Sequence, residues 1–391
     1  MRDTFLPFSP PLIGDAEIAE VLDTLRSDWI TTGPKVKRFE EEFAKFVEAP
    51  GALAVNSCTS ALHLALVALG VGQGDAVVTT PLTFASSAHV IEHCGATPIL
   101  ADVEPDTLNI DPERVRETLE RNAGRRIKAL LPVHLYGHAA ELKGIRKLAD
   151  EYGLAIVEDA AHALPTRYHG ESIGKPAKRT AVCFSFYATK NLTTAEGGML
   201  TAEPDVLEQA RIWSLHGMNR DAWKRYGAEG SWFYEVIVPG FKYNMTDIQA
   251  ALGLVQIKRL HEMQARRHAI VSLYDAAFAG RPEIQTPTTR PGIDHAWHLY
   301  PIRLHLDRLR VNRSQFIDEL RKRNIGASVH FIPIHFHPFY RDKYGYKPED
   351  LPVASGEYQR LVSLPLNPRM SDADVNDVIE AVTDIAVANS R

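Results

Sequence analysis

The chain has 391 residues, 45% of them hydrophobic and 24% charged, with a formal net charge of −5. This length predicts two domains, and the composition is that of a soluble globular protein. The acidic balance argues against general nucleic-acid binding, and no apolar run reaches the roughly 18 residues of a membrane span.

The N-terminus lacks the basic-then-apolar layout of a secretory signal, and Cys58, Cys94 and Cys183 lie scattered in apolar stretches. Both features predict a cytoplasmic protein with buried thiols rather than a disulfide framework or a zinc site. Short β-rich runs are predicted over residues 52–55, 76–80, 97–100, 128–133, 154–157, 181–186 and 198–201, with helical pieces such as 61–69 and 142–152 between them. Near-continuous apolar strands separated by helices predict an α/β fold, a mostly parallel sheet sandwiched by helices. A long helix over 246–276 and a Pro- and Gly-bearing stretch over 287–292 follow. The order then changes to a strand over 297–304, a helix over 314–323, a strand over 327–331 and a last helix from 371. This predicts a large domain over residues 1–255 and a smaller C-terminal α+β domain over 256–391. The basic clusters at 35–38 and 321–323 fit either solvated helix faces or a phosphate-contacting rim.

In parallel sheets ligands bind beyond the carboxyl ends of the strands, so polar residues placed there are the candidates. Ser185-Phe186-Tyr187-Ala188-Thr189-Lys190 ends one strand and leads into a Gly197-Gly198 return. A lysine held at that edge is partly desolvated, which lowers its pKa and makes it an amine nucleophile for Schiff-base chemistry. Ser185 brings a hydroxyl within reach of a phosphate. Asp159 closes the strand before it, suited either to pairing with a protonated pyridine nitrogen or to capping a following helix. His162, three residues on, fits a contact with a ring or a structural role. Asn56-Ser57-Cys58-Thr59-Ser60 opens a helix after the first strand, where free N–H groups and the hydroxyls of Thr59 and Ser60 suit a phosphate. It lacks the glycines and lysine of a Walker loop and the dinucleotide fingerprint. Phe84, after the second strand, has a ring fit either to stack on a pyridine or to fill a core.

Together these segments resemble the DegT/StrS family of fold-type I, pyridoxal 5′-phosphate (PLP)-dependent nucleotide-sugar aminotransferases. The likeness spans the chain, including residues 29–34, 194–198, 239–247 and 295–299, and leans toward the branch that forms UDP-4-amino-4-deoxy-L-arabinose. That branch carries tryptophan where this chain has Phe84. The resemblance implies that Lys190 is the Schiff-base lysine and proton carrier, that Asp159 pairs with the pyridinium, and that Thr59, Ser60 and Ser185 hold the phosphate. It implies that Asn244 reaches the phosphate of a neighbouring subunit, so that a homodimer with shared sites is required, and that His330 lies on the sugar side. It also implies amino transfer from L-glutamate to C4 of a 4-keto nucleotide sugar.

The rival readings are a C3 aminotransferase acting on a dTDP-3-keto sugar and a non-catalytic homologue that only binds PLP or a nucleotide. A metal site built on His330, His335 and His337 lacks a settled ligand spacing. Residues 217–230 and 330–340 are the segments expected to set specificity.

Overall fold

The computed structural model describes residues 2–218 and 233–391. All seven strands predicted before residue 205 form and join one sheet. The first five are β1 (Ala52–Val55), β2 (Ala76–Thr79), β3 (Thr97–Leu100), β4 (Ile127–Leu131) and β5 (Ala155–Asp159). A small hairpin, β6 (Arg167–Tyr168) and β7 (Glu171–Ser172), precedes β8 (Thr180–Ser185) and β9 (Gly198–Ala202). The sheet order is β1-β9-β8-β5-β4-β2-β3, and every pairing is parallel except the two made by β9. The carboxyl ends of β1, β2, β3, β4, β5 and β8 therefore share one edge with the start of β9.

Alternation along the strands divides the side chains between two faces, because successive residues point to opposite sides. Leu53, Val55, Ala181 and Cys183 pack on one face, while Ala52, Ala54, Val182 and Phe184 pack on the other. Among the described residues, eight α-helices precede the second sheet: α1 (Asp15–Arg26), α2 (Pro34–Phe46), α3 (Cys58–Ala68), α4 (Ser86–His93), α5 (Pro112–Arg121), α6 (Leu142–Tyr152), α7 (Pro204–Ser214) and α8 (Asp247–Phe278). The first face is covered by α3, α4 and α7, and the second by α2, α5, α6 and the first half of α8. Burial on both faces explains why the strands read as continuous apolar runs.

The 32-residue α8 starts from a reciprocal cap, in which Gln249 N–H donates to Thr246 Oγ1 and Thr246 N–H donates to Gln249 Oε1. Its mid-helix Gly253 costs roughly 1 kcal/mol against alanine. In return it admits the Phe39 ring of α2, since a Cβ there would sit 2.5 Å from Phe39 Cζ. The second half of α8, through Ile270, Val271, Tyr274 and Phe278, belongs to another core. That core is built on β10 (Ile284–Gln285), β12 (Tyr300–Leu304) and β13 (Leu361–Leu364), while β11 (Ile293–Asp294) pairs with β6 instead. It is closed by α9 (Arg313–Lys322) and α12 (Asp372–Ala388), with α10 (Pro338–Tyr344) and α11 (Pro352–Tyr358) between them in the chain.

Two predicted strands in this region differ from what forms. The 297–304 run starts pairing only at Tyr300, because the N–H groups of His298 and Leu299 are bonded to Tyr136 O of the first unit. The 327–331 run touches β13 only at Ser328. Beyond that residue the chain leaves the sheet, and His330 O accepts from the Tyr136 hydroxyl. The basic cluster at 35–38 lies on a helix face laced with ion pairs from Lys35 to Glu20 and Asp23 and from Arg38 to Glu42. No helix among the described residues is long and apolar enough to cross a membrane.

Residues 29–34 and 239–247 are interlocked. The buried carboxylate of Asp247 accepts from the N–H groups of Gly33, Lys35 and Val36, capping α2 from the first turn of α8. Asp247→Ala strands those donors and is expected to cost about 2–4 kcal/mol, read as a lower urea midpoint. A loss below about 0.5 kcal/mol contradicts this role.

Candidate active site

The sheet edge defined above opens into a cavity of about 480 Å³. After β1 it is lined by Ser57, Cys58 and Thr59, after β2 by Thr83, Phe84 and Ser86, and after β5 by Asp159 and His162. Ser185, Tyr187 and Lys190 follow β8, and His298, His330 and Phe331 close the far side. Of the sequence-derived candidates, Lys190, Thr59, Phe84, Asp159, His162, Ser185 and His330 meet here, while Ser60 and Asn244 do not line the cavity.

Local chain geometry explains each position. At the start of α3, Ser57 caps the helix by accepting from Ser60 N–H. The N–H groups of Cys58 and Thr59 have no partner among the described residues, leaving two donors and the positive end of the helix dipole aimed outward. Ser60 instead turns its hydroxyl to Asn56 Oδ1 and Ser57 Oγ. Its hydroxyl is thus committed inside the cap. Gly198 of β9 runs directly beneath this turn, where a Cβ would lie 2.5 Å from the Ser57 carbonyl and 2.6 Å from Cys58 N. Only glycine permits that approach.

Asp159 is 4% exposed. One of its oxygens accepts from Ser87 Oγ at 2.8 Å and the other from Ala161 N–H at 3.0 Å. No helix follows Asp159, so the capping alternative is not what forms; the carboxylate caps a turn, and Ala163 N–H bonds back to Ala160 O. Burial raises the pKa of Asp159, against the opposing pull of Ser87, Ala161 and the Lys190 charge. A carboxylate desolvated in this way is stabilised by a cation in the cavity. Lys190 sits in the turn after β8 with its backbone N–H on Tyr187 O. Among the described residues its amine has no hydrogen-bond acceptor, and desolvation lowers its pKa to about 8. The amine is therefore neutral in part near neutrality.

His162 accepts a hydrogen bond from Tyr136 N–H at Nδ1, so its neutral ring carries the proton on Nε2. It packs 4.4 Å from the His298 ring and stacks on Phe331. Burial holds both histidines in the neutral form. His330 stacks on Phe8 and pairs its Nδ1 with Ser363 Oγ. Phe84 is 62% exposed, with its ring 6.0 Å from Phe331. Asn244 lies beside β1, bridged to Val55, and donates to Thr32 Oγ1. His335 is bonded to Ser355, apart from His330. No group of three or more His, Cys, Asp or Glu side chains is arranged to hold a metal among the described residues. Of the two suspected specificity segments, residues 219–230 lie outside the described residues, and the other reaches the cavity through His330 and Phe331.

Sequence reasoning did not single out Ser87, His298 or Phe331. Ser87 meets Asp159 across 72 residues of chain, and no local pattern marks it.

The residues 11–383 match the DegT/DnrJ/EryC1/StrS aminotransferase family. The chain belongs to this family. It is 53% identical over 386 residues to the spore coat polysaccharide biosynthesis protein SpsC of Bacillus subtilis, covering 98% of both chains. An uncharacterized protein of Methanocaldococcus jannaschii is 49% identical over the full length of both. The putative sugar aminotransferase Spr1654 of Streptococcus pneumoniae superposes with a TM-score of 0.91 in its PMP form and 0.90 in its PLP form. Its identity to this chain is 35%, over 98% of this chain and 99% of that one. The fold is that of the PLP-dependent sugar aminotransferases, and the enzyme uses PLP. The cavity fits that group: a buried carboxylate suits a protonated ring nitrogen, free helix N–H groups suit a phosphate, and an uncommitted amine suits an aldehyde.

In the cofactor-free aminotransferase, labelling of Lys190 by an amine-directed reagent is expected to rise with a midpoint near pH 8. An exposed lysine has its midpoint near 10.4. The Asp159 charge raises the lysine pKa, so Asp159→Asn shifts that midpoint further down, and PLP affinity falls by about tenfold or more. A midpoint near 10 in the wild-type chain contradicts the desolvated amine.

Proposed function

We propose that this sugar aminotransferase moves an amino group from L-glutamate to C4 of a UDP-linked 4-keto sugar, as in the branch forming UDP-4-amino-4-deoxy-L-arabinose. The observation that carries the catalytic part is the meeting of Lys190, Asp159 and the N-terminus of α3 in one cavity. The choice of C4 and UDP rests on the likeness of the motifs. The identity to SpsC supports a place in polysaccharide biosynthesis.

Bound here, PLP supplies an electron sink for the carbon that loses its proton. Asp159, oriented by Ser87 and Ala161, would hold the proton on the ring nitrogen. Thr59, Ser185 and the free N–H groups of Cys58 and Thr59 would hold the phosphate, and Phe84 would lie against the ring. Ser60 contributes by fixing the turn that presents those donors. Lys190, neutral in part and unbonded, takes the proton from the donor's α-carbon and delivers one to the sugar carbon. His330 and Phe331 form the side where the sugar enters.

Asn244 is turned away from the cavity of its own chain, which supports its service to the site of a second copy. The exposed apolar side chains Ile13, Ile18, Leu22 and Leu25 on and beside α1 support a homodimer. The free thiols of Cys58, Cys94 and Cys183 support a cytoplasmic setting.

The substrate reading is tested by supplying UDP-4-keto and dTDP-3-keto sugars to the PMP-loaded enzyme and identifying the amino sugar by NMR. Amination at C4 of the UDP sugar is the expected result; amination at C3 alone overturns the regiochemistry. Shared sites are tested by mixing Lys190→Ala and Asn244→Ala subunits. Each variant alone is impaired, whereas random mixed dimers regain one intact site and about a quarter of wild-type activity. No recovery contradicts the shared site.

A further inference from the structure

Asn191, the residue after Lys190, is 7% exposed and donates its amide N–H bonds to Leu164 O and Ala296 O. Both partners are carbonyls that only accept, so the amide is fixed with Oδ1 pointing elsewhere. That oxygen lies 3.2 Å from His298 Nδ1. An amide oxygen cannot donate, so the proton between them sits on His298 Nδ1. A neutral ring protonated there has a bare lone pair on Nε2. Among the described residues Nε2 has no partner, and His298 lines the same cavity as Lys190. The backbone of this segment is clamped as well, because Arg267 Nη1 donates to Trp297 O, His298 O and Leu366 O. His162, against the same ring, carries its proton on Nε2. The two neighbouring histidines are thus set as opposite tautomers by fixed partners.

We propose that His298 is a positioning residue for Lys190: fixed by Asn191 as the Nδ1–H tautomer, it offers an unprotonated Nε2 that accepts a hydrogen bond from the lysine amine once PMP occupies the cavity and the amine is released from it. The side chain that must wait between two proton transfers is thereby held in place. Asn191 ties the two together, since the residue that fixes the histidine is the chain neighbour of the lysine. The titratable groups whose charge acts on Lys190 are Cys58 and Asp159, and those whose charge acts on His298 are Lys190, His162, Arg267 and His330. Among these only Asp159 is an acceptor anion, and both its oxygens are bonded to Ser87 and Ala161.

The inference rests on Lys190 being the reactive amine, and the test separates the two. In the PMP-loaded enzyme the lysine is free, and its reductive methylation is followed against pH by mass spectrometry. An acceptor at Nε2 stabilises the ammonium, so His298→Phe moves the labelling midpoint down by about one pH unit, and His298→Gln, whose Oε1 also accepts, restores most of it. A midpoint unmoved in His298→Phe overturns the proposal. Long-range ¹H–¹⁵N spectra of the wild-type enzyme should show His298 as the Nδ1–H tautomer, its signal assigned by its loss in His298→Gln. An Nε2–H form overturns the proposal. Borohydride reduction of the wild-type holoenzyme should leave the cofactor on Lys190. If it marks another lysine, the site reading fails with the inference, whereas an unmoved midpoint removes only the role of His298.

Discussion

A carboxylate buried at the end of a central strand, without a cation bonded to it, is the constraint around which this site is built. Asp159 ends β5, between β4 and β8 in the sheet, where little solvent reaches it. Taking an ion out of water costs several kcal/mol unless other charges and donors offset it. Ser87 and Ala161 N–H supply two donors, and the Lys190 charge supplies part of the rest. In the proposed site a cationic ring nitrogen would meet the remaining balance, so that the cost of burying Asp159 would become affinity for the cofactor.

Everything else at the edge follows from strand direction. Because six strands end there and β9 begins there, a helix N-terminus, an anion and an amine converge without any long loop to carry them. The second unit adds His298, His330 and Phe331, attached through Tyr136, which bonds to the backbone of His298 and to that of His330. One tyrosine therefore sets the distance between the catalytic edge and the opposite wall.

Much of this was legible in the sequence, for a physical reason. Strands buried on both faces are apolar throughout, so their ends are marked by the first polar residues, and Asp159, Ser185 and Lys190 stand out there. The turn after β1 was legible as an anion site, although not in detail. Residues 57, 59 and 60 are alike in type, and only the helical rotation shows that Ser60 faces the cap while Thr59 faces the cavity. Ser87 and His298 act across long stretches of chain, and nothing local distinguishes them from an ordinary helix residue or a core histidine. The 327–331 segment has strand-like composition, yet the pull of Tyr136 and Ser363 on His330 turns it toward the cavity.

In the proposed reaction Lys190 and Asp159 make this cavity a transaminating site that draws its amino group from L-glutamate. The most direct measurement follows the visible absorbance of the PLP-loaded enzyme as L-glutamate is added without any sugar. The expected result is conversion to the PMP form with release of 2-oxoglutarate in the wild-type chain and none in Lys190→Ala. A PLP-loaded wild-type enzyme whose spectrum glutamate leaves unchanged would contradict it.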